Sequence, residues 1–306
     1  MAEQKKIIIA GAGLVGSMLA CYLGRRGHHV HVYERRQDMR KVKMSAGRSI
    51  NLALSKRGWT ALERIGMKSS IEEIAIPMYG REIHNLGEAP INQAYGQDGQ
   101  AIYSVSRGEL SKRVMKAAGE NANVKLFFNR GCLDVDFERN AILFENTETD
   151  KHELEHADLI MGADGAFSGV RNAMVKTPRF NYSQSYLKHG YKELTIPPAE
   201  DGGYRIKKNA LHIWPRRSFM MIALPNPDGS FTVTLFAPYD GENGFNSLDS
   251  DEKIKAYFEK HFPSAIPHMP TLMKDFHENP TADLVTVKCD PWIYKQAMLI
   301  GDAAHA

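Results

Sequence analysis

The sequence predicts an α/β fold in which a parallel sheet with crossover helices is joined to a second, largely antiparallel sheet, and three observations predict it. A β-branched run at Ile7-Ile8-Ile9 is followed by a glycine-punctuated stretch and then by a second strand-like run over 29–34. Two further apolar runs, at 158–163 and 298–300, each end in a glycine-and-acid corner, Asp164-Gly165 and Gly301-Asp302. After Pro178 the texture changes to alternating or β-branched runs separated by turn clusters such as Asn226-Pro227-Asp228-Gly229.

The first run is a strand because three consecutive isoleucines suit a strand buried on both faces. Leu14 to Arg26 then continues as a helix, closed by Gly27, where a left-handed cap costs glycine little. Val30, Val32 and Tyr33 resume a strand, giving a strand-helix-strand unit of about 30 residues, the mark of a parallel sheet with a right-handed crossover. Lys5-Lys6 ahead of the apolar stretch imitates a signal peptide or membrane anchor. Gly11, Gly13 and Gly16 argue against that, being costly inside an isolated apolar helix. Helices are expected at 56–65, 107–119 and 167–175, with Ser104 or Ser106 capping the second. Strands are expected at 182–194, 210–214, 219–224 and 231–239, then a polar helix over 250–261 and strands at 284–289 and 297–300. Residues 1–72, 97–177 and 288–306 therefore read as one discontinuous domain, and 73–96 with 178–287 as the second.

Composition narrows the class. A chain of 306 residues with 43% hydrophobic and 25% charged residues has material for about two cores. Thirty-nine Lys and Arg against 36 Asp and Glu give a net charge of +3 without blocks, which implies neither a nucleic-acid face nor a polybasic membrane tether. Cys21, Cys132 and Cys289 are odd in number and widely spaced, which argues against zinc and a disulfide framework and suits a reducing cytoplasm. His28-His29-Val30-His31 lacks acidic or cysteine partners at ligand spacing, so no metal is expected there. Cys132 has no basic cluster around it and reads as packing, and His305 as a side chain packed in a C-terminal helix.

Gly11-Ala12-Gly13-Leu14-Val15-Gly16 fits G-x-G-x-x-G between a strand and a helix. The first glycine permits the tight turn, the second lets a pyrophosphate approach the backbone, and the third lets the helix pack on the strand. Glu34, ending the second strand, supplies the carboxylate that accepts hydrogen bonds from an adenosine ribose. Arg35 and Arg36 could grip a 2′-phosphate, but Glu34 in front of them would repel one, which favours FAD or NAD over NADP as the resident dinucleotide. Asp158-Leu159-Ile160-Met161-Gly162-Ala163-Asp164-Gly165, with Ser168 and Arg171 beyond, is a strand running into a turn and a helix. Gly301-Asp302 repeats that arrangement, and Asp302 could accept a hydrogen bond from a ribityl hydroxyl.

These elements in this order resemble the single-component flavoprotein aromatic hydroxylases. Within that family, Gly47-Arg48-Ser49-Ile50-Asn51-Leu52-Ala53-Leu54, Pro77-Met78-Tyr79-Gly80-Arg81-Glu82-Ile83-His84 and Tyr103-Ser104-Val105-Ser106-Arg107 are similar to the kynurenine-hydroxylating branch, over essentially the whole chain. The resemblance implies FAD contacts at Val15, Glu34, Arg36, Ala53, Arg107, Cys132 and Asp302, beside Gly11, Gly13, Gly16 and Asp164 of the motifs, and substrate contacts at Arg81 and Tyr95. It also implies conversion of L-kynurenine to 3-hydroxykynurenine with O₂ through a flavin hydroperoxide, a step of tryptophan catabolism. NADPH would visit transiently, since only one G-x-G-x-x-G occurs. Members of the family continue into a C-terminal helical part that this sequence lacks, and eukaryotic ones carry a membrane anchor there.

The residue chemistry fits these roles. An amino-acid substrate needs a bidentate fork for its carboxylate, which an arginine supplies, and a tyrosine adds a donor. On their own, Arg81 reads as a surface arginine and Tyr95 as a core aromatic. Arg107 at a helix start opposes the macrodipole and points to an anionic neighbour. Met220-Met221 read as core, or as the lining of an aromatic pocket. A neutral aniline already donates electron density to its ring, so no general base is nominated. Three alternatives remain. A hydroxylase of a phenolic acid would need a base, a non-catalytic flavin-binding fragment would show no substrate-stimulated NADPH oxidation, and an NAD-dependent dehydrogenase would show no flavin spectrum.

Overall fold

The structure, a computed structural model, describes residues 3–42, 50–97 and 99–306; Gly47, Arg48 and Ser49 of the family motif lie outside them. Strand β1 (Lys6–Ala10) is buried along Ile7, Ile8 and Ile9 and leads through the glycine turn into helix α1 (Leu14–Gly24). Gly27 then takes φ +87°, the left-handed turn expected of it, before β2 (His29–Glu34) returns parallel to β1. Next come β3 (Asn51–Leu54), α2 (Lys56–Arg64), α3 (Lys68–Glu72) and β4 (Ile76–Met78), then a hairpin of β5 (Gly80–Ile83) and β6 (Ile91–Ala94).

Strand β7 (Ile102–Ser106) runs directly into α4 (Arg107–Gly119), and the Ser106 hydroxyl accepts the Glu109 N–H at 3.3 Å to cap it. Ser104, the other expected cap, instead lies inside β7 and donates to the Pro225 carbonyl at 2.8 Å. Strands β8 (Val124–Phe128), β9 (Arg130–Asp136), β10 (Ala141–Asn146), β11 (His152–His156) and β12 (Leu159–Gly162) follow. Helix α5 (Gly169–Val175) starts two residues later than expected, because Ser168 caps it at 3.0 Å through the Arg171 N–H. The remainder is β13 (Asn181–Ile196), β14 (Ala210–Arg216), β15 (Phe219–Pro225), β16 (Phe231–Pro238), α6 (Asp251–His261), α7 (Leu272–Glu278), β17 (Thr281–Asp290), β18 (Ile293–Tyr294) and β19 (Ala297–Leu299).

A six-stranded sheet has the order β18-β19-β12-β1-β2-β8, parallel except for β18 against β19. The direction of winding reverses between β1 and β12, and in such sheets the crevice at that point, beyond the carboxyl ends of the strands, is the ligand site. A seven-stranded sheet has the order β17-β13-β16-β15-β14-β5-β6 and is antiparallel except for β14 against β5. Two three-stranded antiparallel sheets complete the fold, β11-β10-β9 and β3-β7-β4. Because β4 pairs with β7, the chain enters the large sheet only at Gly80, and it leaves at Asp290.

One face of the large sheet is buried under α6 and α7, where Trp214, Met221, Val233 and Leu235 meet Phe258, Phe262 and Phe276. The other core lies between the six-stranded sheet and α1 and α4, and includes Ile7, Ile9, Val30, Val32, Val114 and Met115. Gly301–Ala303, where a turn into a helix is expected, is a single 3-10 turn in the structure. His305 accordingly packs in no helix: it is exposed, bridges to Lys288 and stacks on Trp292.

Arg171 of α5, only 1% exposed, ties these parts together. Its guanidinium donates to the Ala303 carbonyl at 3.0 Å, to the Ala166 carbonyl at 2.5 Å and to the Tyr182 hydroxyl at 3.3 Å. The turn after β12, the turn after β19 and the start of β13 therefore share one buried cation. Arg171→Leu should lower the unfolding free energy by about 3 kcal/mol, because several buried acceptors lose a charged donor, whereas Arg139→Leu, at an exposed site, should change it by less than about 0.5 kcal/mol. Thermal denaturation of the two variants checks this, and equal midpoints would refute the clamp.

Candidate functional site

A cleft of about 730 Å³ opens at the carboxyl ends of β1, β2 and β12. The three motif glycines have three different reasons to be there. Gly11 takes φ +98°, and a Cβ on it would lie 2.5 Å from the Ala163 carbonyl oxygen, so the turn can pass over the end of β12 only without a side chain. A Cβ on Gly16 would lie 1.9 Å from the Gly11 carbonyl oxygen, which sets how closely α1 packs on the turn. Gly13 is different: a Cβ there would meet nothing within 4 Å. Gly13 lines the cleft and Gly16 does not.

Among the described residues three carboxylates line the cleft, Glu34, Asp164 and Asp302, and the first two are shifted in opposite directions. Glu34 is 5% exposed; one oxygen accepts the Ala12 N–H at 2.9 Å and the other the Arg36 Nε at 2.7 Å and Arg36 N–H at 3.1 Å. Burial works against its charge, but the Arg36 guanidinium and these N–H groups outweigh it and hold the carboxyl below its ordinary range. Asp164 goes the other way. Burial pushes its carboxyl up, although Oδ2 accepts the Gly169 and Val170 N–H groups at 2.8 and 3.3 Å. Its Oδ1 is buried with no hydrogen-bond partner among the described residues.

Most of the remaining expected cofactor residues converge on the same cleft. Val15, Arg36, Arg107, Cys132 and Asp302 line it. Gly301 takes φ +64°, and a Cβ there would come within 2.9 Å of the Val15 side chain, so the turn bearing Asp302 rests on the glycine turn. Arg107 has no ion-pair partner among the described residues. The Cys132 thiol is pushed up by burial and then by the Asp164 charge, the reverse of a reactive thiolate. Ala53 does not join them. It points to the exposed face of β3, and its neighbour Leu52 lines the cleft instead.

Sequence reasoning missed Arg130, Gly131 and Leu133 on β9. Phe144 of β10 pairs with Cys132 while Leu143 pairs with Asp134, so Leu133 is the extra residue of a β-bulge. That is how consecutive residues 132 and 133 both reach the cleft wall, against the alternation of a regular strand. Arg130 is held by Glu153 at 2.8 Å. No local signal marks the bulge, because it exists only relative to the register of β10.

Arg81 and Tyr95 lie together on the β5–β6 hairpin: the Arg81 guanidinium carbon is 5.0 Å from the centre of the Tyr95 ring. Gly80 lets the hairpin close tightly, since a Cβ there would lie 2.6 Å from the Gln93 carbonyl oxygen. Among the described residues the buried Tyr95 hydroxyl has no hydrogen-bond partner and Arg81 no carboxylate partner. Register puts Arg81 beside Leu211 and Ile83 beside Ile213, and Ile213 beside Ile222, all on the sheet face away from the aromatic core. Met221 packs in that core, whereas Met220 is 41% exposed on the other face opposite Phe236. The arginine thus stands at the end of an apolar floor. No helix among the described residues is long and apolar enough to cross a membrane.

Comparisons with known proteins agree with this geometry. Residues 4–306 match the FAD binding domain family. The chain is 48% identical over its whole length to the kynurenine 3-monooxygenase of Flavobacterium johnsoniae, of which it covers 68%, and 49% identical over 99% of its length to that of Dictyostelium discoideum, of which it covers 65%. Among solved structures, a tetrameric form of 2-methyl-3-hydroxypyridine-5-carboxylic acid oxygenase superposes with a TM-score of 0.78 at 21% identity, covering 100% of this chain and 76% of that one. A mutant of PqsL from Pseudomonas aeruginosa superposes with a TM-score of 0.76 at 18% identity, over 99% of this chain and 80% of that one. At those identities the structures speak for the fold, and the sequence relatives for the family: the chain belongs to the kynurenine 3-monooxygenase family and is an FAD-dependent hydroxylase.

Proposed function

We propose that the protein hydroxylates L-kynurenine at the ring carbon ortho to its amino group, consuming NADPH and O₂. The cleft suits FAD on three counts. Among the described residues, Gly13 leaves open space where a pyrophosphate would meet the start of α1, Glu34 is a charged acceptor at the end of β2, and Asp164 has a buried oxygen with no partner. Val15, Arg36, Arg107, Cys132 and Asp302 would complete the cofactor's walls, with Ala53 the weakest member because Leu52 stands in its place. Bound FAD supplies the chemistry that no side chain has, taking hydride from NADPH and activating O₂ for transfer of one oxygen atom to the ring.

The protein's own work is to hold and aim the substrate. The observation that carries the reading is Arg81 set against Tyr95: among the described residues the cation has no carboxylate partner and the buried hydroxyl no hydrogen-bond partner. A substrate carboxylate would satisfy both groups at once. The aniline ring would then lie over Leu211, Ile213 and Ile222, an apolar floor that excludes water from the reacting carbon. No proton has to be removed from the ring before attack, so no base is assigned; a phenolic substrate would need one.

Arg81→Ala should raise the KM for L-kynurenine by about 10- to 100-fold, the worth of one charge-assisted bidentate pair, while bound flavin stays at parental stoichiometry. Kynurenine-stimulated NADPH consumption with identification of the product measures it; an unchanged KM would remove Arg81 from the site. Glu34→Gln should loosen flavin about tenfold without changing the KM of flavin-saturated enzyme. Fluorescence titration of the apoprotein with FAD would show it, and an unaltered dissociation constant would contradict the cofactor assignment at β2.

A further inference from the structure

On the buried side of the large sheet, behind the Arg81 strand, two histidines form a hydrogen-bonded pair that the proposed reaction does not use. His84 directly follows β5 and His212 lies in β14; they are 8% and 2% exposed, and His84 Nε2 is 2.9 Å from His212 Nδ1. The protons on this pair are fixed by its surroundings. His212 Nε2 faces the Lys207 carbonyl oxygen at 2.9 Å, and a carbonyl only accepts, so His212 Nε2 carries the hydrogen. His212 Nδ1 is then an acceptor and His84 Nε2 a donor. Burial, with the neighbouring His212 next, lowers the His84 pKa to about 4, and burial lowers that of His212 as well, which favours the neutral rings.

The pair is anchored to the core on one side and to the hairpin on the other. The His84 ring stacks on Trp214 with centroids 4.3 Å apart, and Trp214, fully buried, donates Nε1–H to the Ser264 hydroxyl at 3.0 Å. The His84 backbone is gripped as well: its N–H donates to the Ile213 carbonyl at 2.8 Å, and its carbonyl accepts from Arg216 Nη1 at 3.0 Å. The hairpin needs such a hold. Strand β5 is only four residues long, its outer neighbour β6 is exposed at every position, and its inner neighbour β14 is the one parallel pairing in the sheet. Alternation sends Arg81 to the open face and His84 to the buried one.

We propose that His84 is a positioning residue for Arg81, fixing through its hydrogen bond to His212 where β5 presents the guanidinium to the substrate carboxylate. This rests on the reading of Arg81 as the carboxylate anchor. His84→Phe keeps an aromatic ring against Trp214 and removes the donor; His84→Gln removes the ring and returns an N–H at a similar reach.

In the full-length holoenzyme, His84→Phe should raise both the KM and the dissociation constant for L-kynurenine about fivefold, with kcat within about twofold and flavin content unchanged, and His84→Gln should bring both back to within about twofold of parental values. The decisive measurement is a cycle with Arg81→Ala, in which adding His84→Phe should change the kynurenine dissociation constant no further, because the group being positioned has gone. A merely structural histidine would weaken binding by the same factor in either background, and that result, or a silent His84→Phe, overturns the inference. An Arg81→Ala variant that binds kynurenine normally would instead refute the underlying reading of Arg81. Should His84→Phe fail to fold, His212→Gln disrupts the same bond from the other ring and takes its place in the cycle.

Discussion

A guanidinium buried among backbone carbonyls holds the cleft in shape. Arg171 bonds the carbonyl of Ala166 just beyond the Asp164 corner and that of Ala303 just beyond the Asp302 corner, so two turns that are far apart in sequence are set relative to each other by one planar group. Its third bond, to Tyr182, carries that constraint into the first residues of β13 and therefore into the large sheet. Arginine suits this task because its donors diverge in a fixed plane, where a lysine would offer a single mobile point of charge. Asn51 and Ser104 make a second junction, both donating to the Pro225 carbonyl at the end of β15. The large sheet is thus tied to the α5 region through the Tyr182 hydroxyl and to the small β3-β7-β4 sheet through the Pro225 carbonyl, an acceptor that would otherwise be costly to bury.

The cleft treats its acids unequally. Glu34 keeps its charge because Arg36 is folded onto it, while Asp164 is desolvated and left with one unused oxygen. An extended ligand with a sugar diol at one end and polar groups at the other would meet a well-paired acceptor first and a desolvated one second. The Arg36–Glu34 pair commits one of the two arginines after β2 to the carboxylate beside it.

Local signals carried a large share of the fold. The α4 boundaries follow from Ser106 and its following periodicity, and the turn at Gly27 from its left-handed backbone. The four long strands of the large sheet are legible because β-branched and alternating runs are separated by strong turn formers. What sequence could not supply is anything that depends on long-range register. The bulge that turns Leu133 into the cleft is defined only against β10, and Ala53 and Leu52 exchange places according to which face of β3 the sheet buries. His84 and His212 are separated by 128 positions, and neither carries a motif that names the other. Ser104 is a further example: as a cap candidate it competed with Ser106, and tertiary contact with Pro225 decided between them.

The close seat of Gly301 on the side chain of Val15 joins the first turn of the fold to the last. The glycine loop and its helix lie near the start of the sequence, and the strands of the large sheet stand between them and the wall they share with residues 297–302. A flavin would meet both walls only where β19 has paired beside β12, so holding it is linked to a contact between distant parts of the sequence.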